Sequence, residues 1–470
     1  MTFIIIVFVC LIVTSSQPLL LAFGFVTLLL IYKLFWRPGQ PKAIFFGLLL
    51  FWLSIIVKLF YADINNFSFE ELSISPHILQ TAYIAMLSLV VFSAGIFLMT
   101  SNTREVRIAA LPDVNDYDTK KVILVYLGSI ALKSALGSLG AIGLGEVAKA
   151  LITLRSGFIF VLLYIYYKKN ANLSLPLVIT GIEVFLSFFS YFSSFKDILI
   201  SFLVAFTFFK IELKGKQLFF LVFFAAGSLY LLLIWQAVKS DYRRYLSGGE
   251  RSQAVVVDRD DALNRFYSLA KESKINDPEL WYESIDRLSY IEFFSEATDN
   301  VPATISFENG ALWKNNINHV LVPRFLNPNK KVIYDSEMVN RYATRKVAGA
   351  DVGVSFSLGF LAESYIDYGY IFMFIPVFLL GIFMGWIYRF IINTSINYMW
   401  GCAFVTPLWV YFNCNGMPGA KILGWMIMYC LVFFLVNRYI VKHIDNFLRS
   451  SGYSAPGKAV ITPLEIQGYE

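Results

Sequence analysis

Between His319 and Arg345 the chain places Arg324, Lys330, Lys331 and Arg341 in one short polar stretch. Arginine offers a planar fork that matches phosphate oxygens, and lysine adds a compact positive charge. Such a set suits a pyrophosphate leaving group, whose negative charge grows as its bond to carbon breaks. A solvated basic loop beside anionic lipid headgroups would show the same residues. Pro323 and Pro328 each lack a backbone N–H, so no continuous helix crosses the stretch and a shaped loop is expected.

Carboxylates flank this segment. Glu363 and Asp367 are four residues apart and share a face if helical. A carboxylate there can serve as a general base or hold a sugar hydroxyl; it can equally be an acid opposing a helix dipole. Upstream, Asp277-Pro278-Glu279 reads as a helix start. Trp281, Ile285, Leu288 and Ile291 follow at helical spacing, with Glu283, Asp286, Arg287 and Tyr290 on the polar face. Glu283 and Arg287 form either a surface i,i+4 pair or a support from which Arg287, with Tyr290 beside it, enters a substrate cleft.

Composition restricts the elements that must hold these groups. Of 470 residues, 57% are hydrophobic and 15% charged, against roughly 25% charged in soluble domains. Water would not tolerate so much apolar surface, whereas lipid solvates it. The expected fold is an all-α polytopic membrane protein with about 11–12 transmembrane helices and one large external loop. Apolar runs of roughly 20 residues suggest spans at 3–14, 18–35, 43–61, 78–100, 120–137, 150–168, 174–193, 197–213, 216–237, 366–391, 396–413 and 421–441. Ser15-Ser16-Gln17-Pro18 either separates the first two or kinks a single helix. No basic residue precedes the first run, unlike a signal peptide.

Lys and Arg concentrate in alternate loops, including Lys33, Arg37 and Lys42, then Arg104, Arg107, Lys120 and Lys121, and finally Arg438, Lys442 and Arg449. The positive-inside rule makes these loops and the C-terminus cytoplasmic in a bacterial inner membrane. The expected division is an N-terminal bundle at 1–237, a periplasmic or extracellular loop at 238–365, C-terminal spans at 366–445 and a cytoplasmic tail at 446–470, disordered from Ser450 to Glu470. Chemistry on that loop has no direct access to cytosolic ATP or nucleotide sugars. It must draw on a substrate already energised in the membrane.

Lys133, Arg155, Glu183, Lys196 and Asp197 lie in or near spans, where charge faces the bundle interior or a wet cavity. Arg155 and Glu183 can pair, or Arg155 can meet a lipid phosphate; Lys196 can line a cleft mouth. Gly137, Gly140, Gly143 and Gly145 lack the ending of a phosphate loop and suit an irregular external connection. Gly381 and Gly385 form a helix-packing GxxxG. Cys10, Cys402, Cys414 and Cys430 read as small core residues without metal-ligand spacing. No basic run with interleaved aromatics suggests nucleic acid.

The run Val322-Pro323-Arg324-Phe325-Leu326-Asn327-Pro328-Asn329-Lys330-Lys331, followed by Gly359, Glu363 and Tyr368-Gly369, resembles the Wzy-type oligosaccharide repeat-unit polymerases of O-antigen and exopolysaccharide synthesis. The resemblance implies a GT-C-like glycosyltransferase that needs no metal or other cofactor. Its donor would be a glycan on undecaprenyl pyrophosphate and its acceptor a lipid-linked repeat unit. A chain-length regulator and a flippase would be partners. Arg324 with Lys330 or Lys331 would hold the pyrophosphate, and Glu363 would face the acceptor; position alone adds Arg287 and His319. An O-antigen ligase would need the same groups. A lipid-linked-oligosaccharide flippase or transporter would carry cations along a central path, and an acyltransferase would centre on a histidine, for which His319 is the external candidate.

Overall fold

The computed structural model describes residues 2–101, 111–137, 144–170, 172–187, 195–209, 216–249, 256–273, 278–322, 335–349 and 355–450. The N-terminal half supplies α1 (Thr2–Thr14), α2 (Pro18–Phe35), α3 (Ala43–Asn65), α4 (Ile78–Thr100), α5 (Thr119–Gly137), α6 (Gly145–Ser156), α7 (Phe158–Asn170), α8 (Ser174–Ser187), α9 (Phe195–Phe206) and α10 (Lys216–Leu246). Shorter helices follow: α11 (Arg259–Glu272), α12 (Pro278–Leu288), α13 (Ile291–Asn300), α14 (Ala311–Leu321) and α15 (Asp335–Tyr342). The chain closes with α16 (Phe360–Phe372), α17 (Phe374–Thr394), α18 (Tyr398–Val405), α19 (Trp409–Phe412), α20 (Gly419–Tyr439) and α21 (Val441–Leu448). Among the described residues there is no strand, only an isolated bridge between Tyr117 and Arg449.

Among the described residues, six helical stretches have the length and apolarity to cross a membrane: α2, α3, α4, the α6–α7 run Gly145–Asn170, α17 and α20. The architecture is therefore all-helical and consistent with a polytopic membrane protein. Several expected spans take another form. Residues 3–35 are two helices, because Ser15 Oγ and the Ser16 N–H and Oγ all donate to the Asp63 carboxylate, at 2.6, 2.8 and 2.7 Å. The 396–413 stretch is broken by the 3-10 turn Thr406–Leu408 at Pro407, which cannot donate a backbone bond. The expected 366–391 span starts later, at Phe374, after Gly369 leaves helical geometry with φ +67°. α10 continues past 237 to Leu246. Residues 188–194 and 210–215, which end two expected spans, and the tail at 451–470 lie outside the described residues.

The GxxxG expectation holds, with α4 as the partner of α17. A Cβ on Gly381 would lie 2.4 Å from the Phe92 carbonyl oxygen, and one on Gly95 would lie 2.5 Å from that of Phe378. Backbones can approach so closely only where side chains are absent. Cys402 and Cys414 are buried as expected and Cys430 is partly so, whereas Cys10 is exposed on α1.

A buried ionic network fastens the polar segment to the bundle. Lys58 on α3 is 1% exposed. It pairs with Glu292 on α13 and, at 3.2 Å, with Asp286 on α12. Arg345 binds Glu296 and lies 3.4 Å from Glu292. Ser73 Oγ donates to Glu292 at 3.1 Å. Lys58 and Arg345 thus offset Glu292 and Glu296, which is what burying these charges demands.

Candidate functional site

The start of α16 is pinned to the start of α20. Gly359, which precedes α16, has φ +84°, and a Cβ there would meet the Gly416 backbone at 3.2 Å. Gly416 has φ +78°, and the Tyr290 ring occupies the place its Cβ would take, 2.1 Å away. Only glycine fits either position. The Phe360 N–H donates to the Met417 carbonyl at 2.8 Å. One turn into α16, Glu363 therefore reaches the start of α20 and accepts from the Gly419 N–H at 2.8 Å. Asn316 on α14 donates its Nδ2 to the same oxygen, Oε2, at 2.9 Å.

Glu363 is 3% exposed. Burial pushes its carboxyl up to about 7, against the opposing pull of the Gly419 N–H and the Asn316 amide. The nearby Asp335 and Asp367 add to the rise. Asp335, at the start of α15, is itself buried; it pairs with Lys421 on α20 and accepts from Ser355 Oγ at 3.0 Å. The buried Asn316, Glu363 and Asp335, with the half-buried Lys421, thus form a polar centre where α14, α15, α16 and α20 meet. A carboxyl poised near neutrality can take or give a proton there.

Asp367 shares an element with Glu363 but does different work. Its carboxylate accepts from the Leu312 and Trp313 N–H groups at 3.0 and 2.8 Å. These are otherwise unpaired donors in the first turn of α14. The acid opposing a helix start exists, and the helix it serves is α14. Trp313 Nε1 donates to Ser364 Oγ at 3.0 Å, between the two carboxylates. Trp313 also borders an apolar groove of about 440 Å³ lined by Ile317, Phe372, Leu379, Phe383 and Leu423.

The remaining predicted site residues are dispersed. Arg324, Lys330 and Lys331 lie outside the described residues, as does the Arg287 side chain. Arg341, in the last turn of α15, is 60% exposed and pairs with Glu308 at 2.6 Å. Tyr290 precedes α13, its ring against Gly416. His319 is half-buried in the last turn of α14, one turn beyond Asn316. Arg155 and Glu183 do pair: Arg155 is 6% exposed, and Tyr126 donates to the other Glu183 oxygen at 2.6 Å. A guanidinium so enclosed serves the bundle rather than a lipid phosphate. Lys196 is exposed on the first turn of α9.

The sequence reading passed over Asn316, Lys421, Lys149 and Lys58. Lys58 and Lys421 carried a usable signal, since each is a charge set in or at the start of a strongly apolar stretch, whereas Lys149 shares a mixed helix with Glu146 and Arg155. Asn316 carried none, because its role depends on which helix packs opposite. Among the described residues no group of three or more His, Cys, Asp or Glu could hold a metal ion.

These features define an all-helical, membrane-type protein with a buried acidic centre at the junction of its polar segment and its last long helix. Residues 44–443 match the model of DUF8712, described as a domain of unknown function, and the chain belongs to that family. No curated protein and no solved structure matches it.

Proposed function

We propose that this protein joins undecaprenyl-pyrophosphate-linked oligosaccharide repeat units into a surface polysaccharide, on the outer face of a bacterial inner membrane. The observation that carries the reading is Glu363, a buried carboxyl brought to about 7 at the edge of a membrane-type bundle. Both of its side-chain bonds fall on Oε2, so Oε1 takes the proton. In the reaction, Glu363 removes the acceptor hydroxyl's proton. The hydroxyl oxygen bonds to the anomeric carbon of the donor glycan, and the bond from that carbon to the pyrophosphate breaks. Arg324, Lys330 and Lys331 neutralise the departing polyprenyl pyrophosphate, and the apolar groove beside Trp313 offers a surface for its chain. A GT-C-like architecture, an external polar segment and a cytoplasmic C-terminus belong to this proposal, as do a chain-length regulator and a flippase as partners. An O-antigen ligase would use the same donor chemistry.

A transporter of lipid-linked oligosaccharide is the second reading. What favours it is the set of charges within the bundle, on α5, α6, α8 and α9. One assay separates the two. Purified protein is given synthetic lipid-linked repeat units, with chelator and without nucleotide, and products are resolved on a gel beside Glu363→Gln and Arg324→Ala. A ladder of whole repeat units that disappears in both variants is expected. Binding or translocation of the repeat unit without any ladder would overturn the polymerase reading.

A further inference from the structure

Four lysines converge at one end of the bundle, from four different helices. Lys133 lies one turn before the end of α5, Lys149 one turn into α6, Lys196 at the start of α9 and Lys421 at the start of α20. Asp197 lies within electrostatic reach of Lys196, Lys133 and Lys149, and Lys149 lies within reach of Lys421 and Glu146. The Lys149 ammonium stands 3.1 Å from the centroid of the Trp425 ring. Trp425 is one turn along α20 from Lys421, so this contact ties α6 to α20 where the lysines gather. Lys149 and Lys196 are exposed, and Lys133 and Lys421 are half-buried.

The acids facing this cluster are Asp197, Glu146, Glu183 and Asp335; Glu183 is already held by Arg155 and Asp335 by Lys421. The Asp197 carboxylate is shared among Lys196, Lys133 and Lys149. Like charges held this close repel unless an anion joins them. Two of the four, Lys196 and Lys421, also sit in the first turn of their helices, whose N–H groups favour an anion too. Solvated surface lysines would not be drawn from three helices around one carboxylate.

We infer that Lys133, Lys149, Lys196 and Lys421 form a binding site for the phosphate group of a membrane-embedded lipid. Lys421 links this site to Glu363 through Asp335, so an anion held here lies next to the buried acidic centre. Assigning it to the diphosphate of a polyprenyl donor rests on the polymerase reading; the phosphate site itself does not.

The test is direct binding to the full chain in a neutral detergent. Undecaprenyl diphosphate, undecaprenol and phosphatidylglycerol are titrated separately, with Lys149→Gln, Lys196→Gln and the double variant compared with the unaltered protein. Each single change is expected to weaken undecaprenyl diphosphate binding about tenfold, as loss of a charge-assisted bond would. The double change should weaken it further, while undecaprenol binding stays the same and shows that the fold persists. Lys149→Arg should retain most of the affinity. Lysine-dependent binding of undecaprenyl diphosphate over phosphatidylglycerol supports the site and names the donor as its occupant. Equal lysine-dependent binding of both supports the site and names bulk lipid. Unchanged diphosphate affinity in the double variant overturns the site, whatever the repeat-unit assay shows. A lysine-dependent site in a protein that makes no ladder would leave the site standing and remove the polymerase reading.

Discussion

Replacing Glu363 by glutamine should change the pH dependence of stability in a direction set by the buried carboxyl. In the unfolded chain this group titrates near its ordinary value of 4.5, and in the fold burial lifts it to about 7. The folded state therefore holds the proton more tightly. Its stabilising contribution is fully present below pH 4.5 and is lost as pH rises through about 7. With about 1.4 kcal/mol for each tenfold change in proton affinity, the loss amounts to roughly 3 kcal/mol between those limits. Glutamine does not titrate, and its amide oxygen can still accept from the Gly419 N–H and the Asn316 amide, which now meet on Oε2. Glu363→Gln should thus differ little from the unaltered protein at pH 4.5 and be the more stable of the two at pH 8.5. The assay is thermal unfolding in detergent across that pH range, read by tryptophan fluorescence. Parallel curves for the two proteins would refute the reasoning, since the carboxyl would then be ionised in the fold at no cost. On the proposed polymerase reading the same variant should also make no repeat-unit ladder at any pH, a trade of function for stability.

Two further perturbations test the scaffold. Lys58→Met should lower stability in detergent by about 3 kcal/mol, the lower part of the range for breaking a buried pair, because Arg345 still lies 3.4 Å from Glu292. Adding Glu292→Leu should restore part of the loss, and additive losses measured by thermal unfolding would contradict the network. Gly381→Ala places a Cβ 2.4 Å from the Phe92 carbonyl oxygen and must part α4 from α17. It should cost about 1–3 kcal/mol, while Gly128→Ala, whose Cβ meets nothing within 4 Å, should leave the melting temperature where it was.

The membrane-type helical architecture was legible because it depends on composition and run length, which are local quantities. α2, α3, α4 and α20 fall close to the expected spans for that reason. The helix start at Pro278 was also legible, since proline and a following acid act within one turn. Gly381 and Gly385 announced close packing, but not that α4 was the partner. Breaks were harder to see. Gly369 and Pro407 interrupt apolar runs that hydropathy alone treats as continuous.

The sequence by itself determined that an ionisable group buried in this chain would need a partner or would give up its charge, because desolvation penalises a lone buried ion. For Arg155 it also offered the partner, Glu183. Which carboxylate would be poised to hold a proton and which would cap a helix was decided only in three dimensions. Glu363 and Asp367 are indistinguishable by spacing, yet one meets the start of α20 and an asparagine from α14, and the other closes the unpaired N–H groups of α14. Their difference arises from contacts across about fifty residues of chain. A pattern within one helix carries no information about what packs against it, and the proton affinity of a buried carboxyl depends on that packing alone.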